Sequence, residues 1–151
     1  MIVRKGTAED LAGVGSLWLS LIDEVFPGRN PDIHYWVNFT SDLLANCPEY
    51  SLFVAEEGGK IIGFTDFIIQ YDPTFSKKIL NSFQTYVLPP FRNTGATKAL
   101  WSEVVSGAKA NDCPTIFFST APKLYEYWTH LAGAELSEVS MVIHPYSLKE
   151  V

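Results

Sequence analysis

Two adjacent prolines constrain this chain more than any other feature. They stand in V-L-P-P-F-R-N-T-G-A-T, residues 87–97, and neither Pro89 nor Pro90 can donate to a sheet ladder. Any strand before them must therefore end by Val87. The preceding run, I-L-N-S-F-Q-T-Y-V at 79–87, is too long and too β-favouring to be a loop. From about residue 94 to 110 the pattern turns helical, with Ala99, Leu100, Val104, Val105 and Ala108 on one side. A strand, a short turn holding Arg92 and Gly95, and a helix start thus follow one another. Free N–H groups, a positive dipole end and a basic side chain at such a junction suit an anion. The plainer reading is a helix start in which Gly95 only supplies backbone freedom.

The rest of the chain decides between the two. Residues 1–5 read as a short strand. Thr7 with Glu9 and Asp10 caps a helix starting near Ala8, whose stripe is Leu11, Val14, Trp18, Leu21, Ile22 and Val25. Pro27-Gly28 stops it. Asn30-Pro31-Asp32 opens a second helix with an aromatic-rich face of Tyr35, Trp36, Phe39, Leu43 and Leu44, which either packs in the core or lines a substrate cleft. A strand at 51–55, a hairpin turn at 56–60 and a return strand at 61–70 follow, with Gly63 marking a bend or a close backbone approach. Residues 71–78 read as a loop and 111–114 as another. A short buried strand occupies 115–119, a helix starts at Ala121-Pro122, Gly133 caps it, and 135–144 is the last strand. The order β-α-α-β-β-β-α-β-α-β predicts an α/β (α+β) fold, a mixed sheet with helices on both faces.

Composition narrows the partners. At 151 residues and 47% hydrophobic, the chain has enough apolar surface for one full core. The net charge of −6, with no run of Lys or Arg, argues against nucleic acid and is compatible with a cationic substrate. Cys47 and Cys113 form no CxxC or Cys/His cluster, so reduced thiols, no metal site and a cytoplasmic location are expected. The start lacks the apolar core of a signal peptide, and no apolar run approaches the ~20 residues that span a bilayer.

The motifs then acquire a family resemblance. Val87-Leu88-Pro89-Pro90-Phe91-Arg92 is similar to the V-x-P-x-[YF]-R of the GNAT superfamily of acyl-CoA N-acyltransferases, and Arg92-Asn93-Thr94-Gly95-Ala96-Thr97 to its [QR]-x-x-G-x-[GA] pyrophosphate loop. The hairpin ending in Gly63-Phe64 resembles the family's "x-x-G-F/Y". Ala121-Pro122-Lys123-Leu124-Tyr125 matches A-x-x-L-Y, and Gly133-Ala134 stands where "G-F" is usual. The resemblance covers essentially the whole chain. It implies one GNAT-like domain over 1–151, with a mostly antiparallel sheet of about six to seven strands.

The resemblance further implies an N-acetyltransferase using acetyl-CoA as co-substrate, without a metal, on a primary amine of a small molecule or peptide. Val87, Arg92, Asn93, Thr94, Gly95, Ala96 and Thr97 would bind the cofactor, the amides of 93–97 taking the diphosphate and the pantetheine arm adding as a strand beside Val87. Tyr125 would give the departing thiolate its proton, with Tyr127 in reserve. Specificity would lie in the first two helices and the 71–78 segment, where Trp18, Tyr35, Trp36, Asp23, Glu24 and Asp32 suit a cationic amine. The resemblance also allows a homodimer.

Three departures qualify it. Thr97 stands where Gly or Ala is usual, so its hydroxyl either bonds a phosphate or its bulk weakens binding. The stretch from Tyr125 to Gly133 is about one helical turn long for the family. The strand-four carboxylate is missing, with Gln84, Thr85 and Tyr86 in its place. A free amine titrates near ~10.4 and must lose its proton before it attacks. Asp66 is a base candidate by position, against the plainer reading of a solvated or capping acid, and His34, His130 and His144 read as surface or packing residues. These departures leave a second reading, a GNAT-fold protein that binds CoA or a partner without catalysis.

Overall fold

Side chains alternate across the central strands, and that alternation divides the core in two. The computed structural model describes residues 1–74 and 76–119, which belong to one compact unit, Met1–Ser119. Its elements are β1 (Ile2–Lys5), α1 (Leu11–Val25), α2 (Ile33–Asn46), β2 (Tyr50–Glu57), β3 (Lys60–Asp72), β4 (Lys77–Val87), α3 (Ala96–Ala110) and β5 (Ile116–Phe118). The strands lie in the order β1-β2-β3-β4-β5, antiparallel except for the parallel pair β4 and β5. Tyr50, Leu52, Val54, Phe64 and Tyr86 pack on one side with Leu11, Val14, Leu17 and Trp18 of α1, and Trp36 of α2 packs against them. Ala55, Ile62 and Val87 pack on the other side with Ala96 and Leu100 of α3, and Phe67 and Leu80 with Val104 and Ala108. Helices therefore cover both faces, as the element order predicts.

Five strands form the sheet among the described residues, against the six to seven expected; the strand predicted at 135–144 and the helix from Ala121 lie outside them. Residues 71–78 are not the expected loop. Tyr71 pairs with Lys78 and Asp72 with Lys77, so the ladder runs on, and the Asp72 carboxylate accepts the Thr74 N–H at 2.8 Å. The β2–β3 hairpin turns at Gly58 and Gly59, with φ of 56° and 75°, as a two-residue connection requires.

Local chemistry shifts several predicted edges. Thr7 and Asp10 form a capping box on the first helical turn, the Asp10 carboxylate accepting the Thr7 N–H at 2.8 Å. Arg4 grips Asp10 at 2.8 and 2.9 Å and also holds Glu56, and this guanidinium lowers the Asp10 carboxyl to about 2. Asp32 caps α2 by accepting the Tyr35 N–H at 3.0 Å, so Pro31 lies before the helix instead of in its first turn. The α1 stripe gains Leu17 and ends at Ile22, and Val25 is 50% exposed. On α2, Trp36 stacks on Trp18 at 5.1 Å, while Tyr35 and Phe39 stack on each other at the surface. On α3 the buried set is Ala96, Leu100, Val104 and Ala108, a strict four-residue repeat that turns Val105 outward.

Gly63 is the predicted close approach. A Cβ there would sit 2.9 Å from both the Tyr86 carbonyl oxygen and Val87 Cγ2. The β3–β4 pair can thus close onto α3 only with glycine at this position.

Candidate cofactor and acyl-transfer site

The site begins where β4 stops. Pro89 and Pro90 open a 3₁₀ turn over Pro89–Phe91, closed by Phe91 N–H to the Leu88 carbonyl at 2.9 Å and Arg92 N–H to the Pro89 carbonyl at 3.3 Å. The Thr94 N–H and hydroxyl both donate to the Phe91 carbonyl, at 3.2 and 2.7 Å. Gly95 then takes φ 89°, the left-handed region, with nothing within 4 Å of where a Cβ would stand. The α3 ladder starts with Ala99 N–H to the Gly95 carbonyl at 2.9 Å. The amides of Asn93, Gly95, Ala96, Thr97 and Lys98 have no acceptor among the described residues. The first turn of α3 carries no acid, and Lys98 is exposed there with no partner among the described residues. A cation at a helix N-terminus works against the dipole unless an anion joins it. These groups can hold a phosphate-like anion.

Two expected ligands take other work. Thr94 has already spent its N–H inside the turn. Arg92 is engaged by other groups. Its Nε donates to the Val87 carbonyl at 2.9 Å, its two terminal nitrogens grip both oxygens of Glu24 in the last turn of α1, and its guanidinium carbon lies 5.4 Å from the Tyr86 ring centroid. Arg92 ties the turn to α1. Glu24 lies 68 residues away in the chain, and no local signal marks it as the partner. Lys98, three residues after Gly95, is the cation that a search of the helix's first turn would have found.

Among the described residues the edge of β4 is open beside this turn. β5 pairs with Leu80, Asn81 and Ser82 only. Leu88 N–H bonds the Ile62 carbonyl on β3, so by alternation the N–H and C=O groups of Thr85 and Val87 point away from β3. Arg92 occupies the Val87 carbonyl. The Thr85 groups and the Val87 N–H remain open among the described residues.

On the α1/α2 face lies Asp66, 6% exposed, its carboxylate accepting from the Tyr50 hydroxyl at 2.9 Å and from the Gln84 N–H at 3.0 Å. Burial pushes this carboxyl up to about 7, against these two hydrogen bonds and a third from its own backbone N–H. Asp66 is neither solvated nor a helix cap. His34 is exposed on α2. Tyr125, Tyr127, His130, His144 and the 125–133 spacing lie outside the described residues. Among the described residues no group of His, Cys, Asp and Glu could hold a metal, both cysteines are free, and no helix is long and apolar enough to cross a membrane.

Among the described residues, a mixed sheet covered on both faces presents an open strand edge that leads to an anion-ready helix start. The chain belongs to the acetyltransferase (GNAT) family, whose model matches residues 16–127. Among solved structures it is similar to the ribosomal-protein-alanine N-acetyltransferase of Brucella melitensis biovar Abortus 2308, at 22% identity, TM-score 0.72, with 95% of this chain and 97% of that one covered. It is likewise similar to glucosamine-6-phosphate N-acetyltransferase from Arabidopsis thaliana, at 16% identity and TM-score 0.76, over 95% and 97% of the two chains. AAC(6')-Iy, in complex with the bisubstrate analog CoA-S-monomethyl-acetylneamine, aligns at 22% identity and TM-score 0.74 over 95% and 96%. None of the curated protein sequences matches significantly.

Proposed function

We propose that the chain is a cytoplasmic N-acetyltransferase moving an acetyl group from acetyl-CoA to a primary amine of a small molecule or peptide by direct transfer. The observation that carries this reading is the join, among the described residues, between the unpartnered amides of Asn93, Gly95, Ala96, Thr97 and Lys98 and the open β4 edge at Thr85 and Val87. The amides and the Lys98 ammonium would hold the diphosphate, and the Thr97 hydroxyl would add a donor. The pantetheine arm would lie along Thr85 and Val87 as an added strand. Acetyl-CoA supplies the activated acyl group as a thioester. The Val87 N–H would polarise its carbonyl, and Tyr125 is assigned, by its motif, to protonate the leaving sulfur.

Thr97 also motivates the second reading, a family member that binds CoA or a partner without turnover. Calorimetry with acetyl-CoA, combined with thiol release from a panel of peptide α-amines, lysine side chains, polyamines and amino sugars, separates the two. Binding with turnover supports the enzyme and binding without turnover supports the binder. No binding at millimolar acetyl-CoA overturns both.

A further inference from the structure

Charge and exposed apolar surface are both unevenly spread over this chain. Between Gly6 and Asn46 the sequence has six acids and no Lys, and Arg29 is its one Arg. Helices α1 and α2 contain Asp23, Glu24 and Asp42 but no Lys or Arg, and the N-cap Asp32 stands just before α2. The same stretch carries Leu19, Val25, Phe26, Tyr35 and Phe39, half of the large hydrophobic side chains exposed among the described residues. Single exposed apolar residues are ordinary on a protein surface; an ordered set of them marks a contact.

On α2 the set is ordered. Asp32, Tyr35, Phe39 and Asp42 follow one another at steps of three, four and three residues, the repeat of one helix face, and all four are exposed. The inner side carries Ile33, Trp36, Val37 and Leu44, which pack on the core. The Tyr35 and Phe39 rings stack with centroids 6.2 Å apart and planes 6° apart, so they present one aromatic patch, 69% and 52% exposed. An acid stands at each end of it. Asp32 accepts the Tyr35 N–H, but neither Asp32 nor Asp42 forms an ion pair among the described residues. Ten residues of helix put the two carboxylates about 15 Å apart along the axis.

Such a face suits a partner with a cation at each end and an apolar side chain between. In an extended chain alternate side chains share a face at about 3.3 Å per residue, so residues i and i+4 set two cations about 13 Å apart with i+2 between them. Arginine serves best, because its fork pairs with a carboxylate while its plane stacks on an aromatic ring. A second copy fits badly: two-fold packing of α2 on itself would bring the Asp32 of one chain to the Asp42 of the other. We propose that this outer face of α2 docks an extended Arg-x-x-x-Arg segment of a peptide substrate, away from the amine that is acetylated. The inference rests on the acetyltransferase reading for the fate of that amine, and on charge and aromatic complementarity for the docking. The Asp32 end of the face leads through residues 27–31 to α1, whose Glu24 is tied to Arg92 of the cofactor turn.

The test is fluorescence anisotropy of the peptide Ala-Arg-Ala-Leu-Ala-Arg-Ala, labelled at its C-terminus, titrated with the whole chain at low salt. Binding should saturate and should weaken as salt rises. Phe39→Ala should weaken it about 5- to 30-fold and Asp42→Asn about 2- to 5-fold. Both positions are exposed, so circular dichroism of the variants should match the wild type. A peptide with its arginines at i and i+3, on opposite faces, should bind less well than the i, i+4 peptide. With acetyl-CoA and the unlabelled peptide, KM for the peptide should rise in the same order while KM for acetyl-CoA does not. No anisotropy change at millimolar peptide overturns the inference, as does binding that neither substitution weakens. Transfer to small amines with none to a bound peptide overturns the substrate role while leaving the acetyltransferase reading in place. Peptide binding with no transfer to any amine supports the docking face and overturns the acetyltransferase reading.

Discussion

Removing Arg92 distinguishes a clamp from a ligand, because the two roles differ in magnitude and in observable. As a clamp, Arg92 makes an ion pair with Glu24 in which the side chains are 39% and 44% exposed, so solvent screening holds the pair to about 0.2–1 kcal/mol. The bond to the Val87 carbonyl adds about 0.5–1.5 kcal/mol. Arg92→Ala should thus cost roughly 1–2 kcal/mol of folding stability. A double-mutant cycle with Glu24→Ala, read by urea unfolding, should recover roughly 0.2–1 kcal/mol of coupling. CoA affinity, measured by calorimetry, should fall less than about 3-fold, since no donor of the loop is lost. A direct diphosphate ligand behaves otherwise. Losing charge-assisted bonds worth about 1.5–3 kcal/mol would weaken CoA roughly 10- to 150-fold. A loss of that size, with no Arg92–Glu24 coupling, would refute the clamp.

Three further outcomes follow from the same geometry. Gly95→Ala should destabilise the fold by about 1–2 kcal/mol in urea unfolding; the space around Gly95 is open, so the cost comes from its left-handed φ alone. Thr97→Ala should weaken CoA by roughly 2- to 10-fold in calorimetry, the value of one hydroxyl donor; tighter binding would show that the branched side chain is a handicap. In urea unfolding against pH, the wild-type chain should lose stability as pH falls from about 4 towards 2, because the Asp10 carboxyl is depressed by Arg4 and its contribution is complete only above the unfolded value near 3.9. Asp10→Asn should flatten that limb. Asp66 has the opposite sign: its raised carboxyl favours the fold at low pH, and that contribution is lost as pH rises from about 4 through about 7.

Features written in a few neighbouring residues were legible. Pro89 and Pro90 end β4 because neither has an N–H, Gly95 carries the left-handed cap, and Gly58-Gly59 sets the hairpin. Gly63 could be read as a close approach, although its neighbours Tyr86 and Val87 could not be named. What depends on tertiary pairing was missed. Tyr71, Asp72, Lys77 and Lys78 are polar enough to read as a loop, yet the β3–β4 ladder extends through them. Val25 and Val105 fit helical stripes, but the sheet beneath does not reach them. Arg92 looked like an anion ligand because Arg, Gly and a helix start sit together; its orientation is set by Glu24, which only the fold brings near. Asp66 was visible as a carboxylate on a strand. Its burial and its Tyr50 partner were not, since cross-strand register leaves no mark within one strand.

The central claim is that the amides at the start of α3 receive the CoA diphosphate, and ¹H–¹⁵N NMR titration of the whole chain with CoA tests it most directly. The largest shifts should fall on Asn93, Gly95, Ala96, Thr97 and Lys98, with Val87 following and Thr94 moving least in the turn. Saturation with CoA that leaves those amides unmoved, or no shift at millimolar CoA, would contradict the claim.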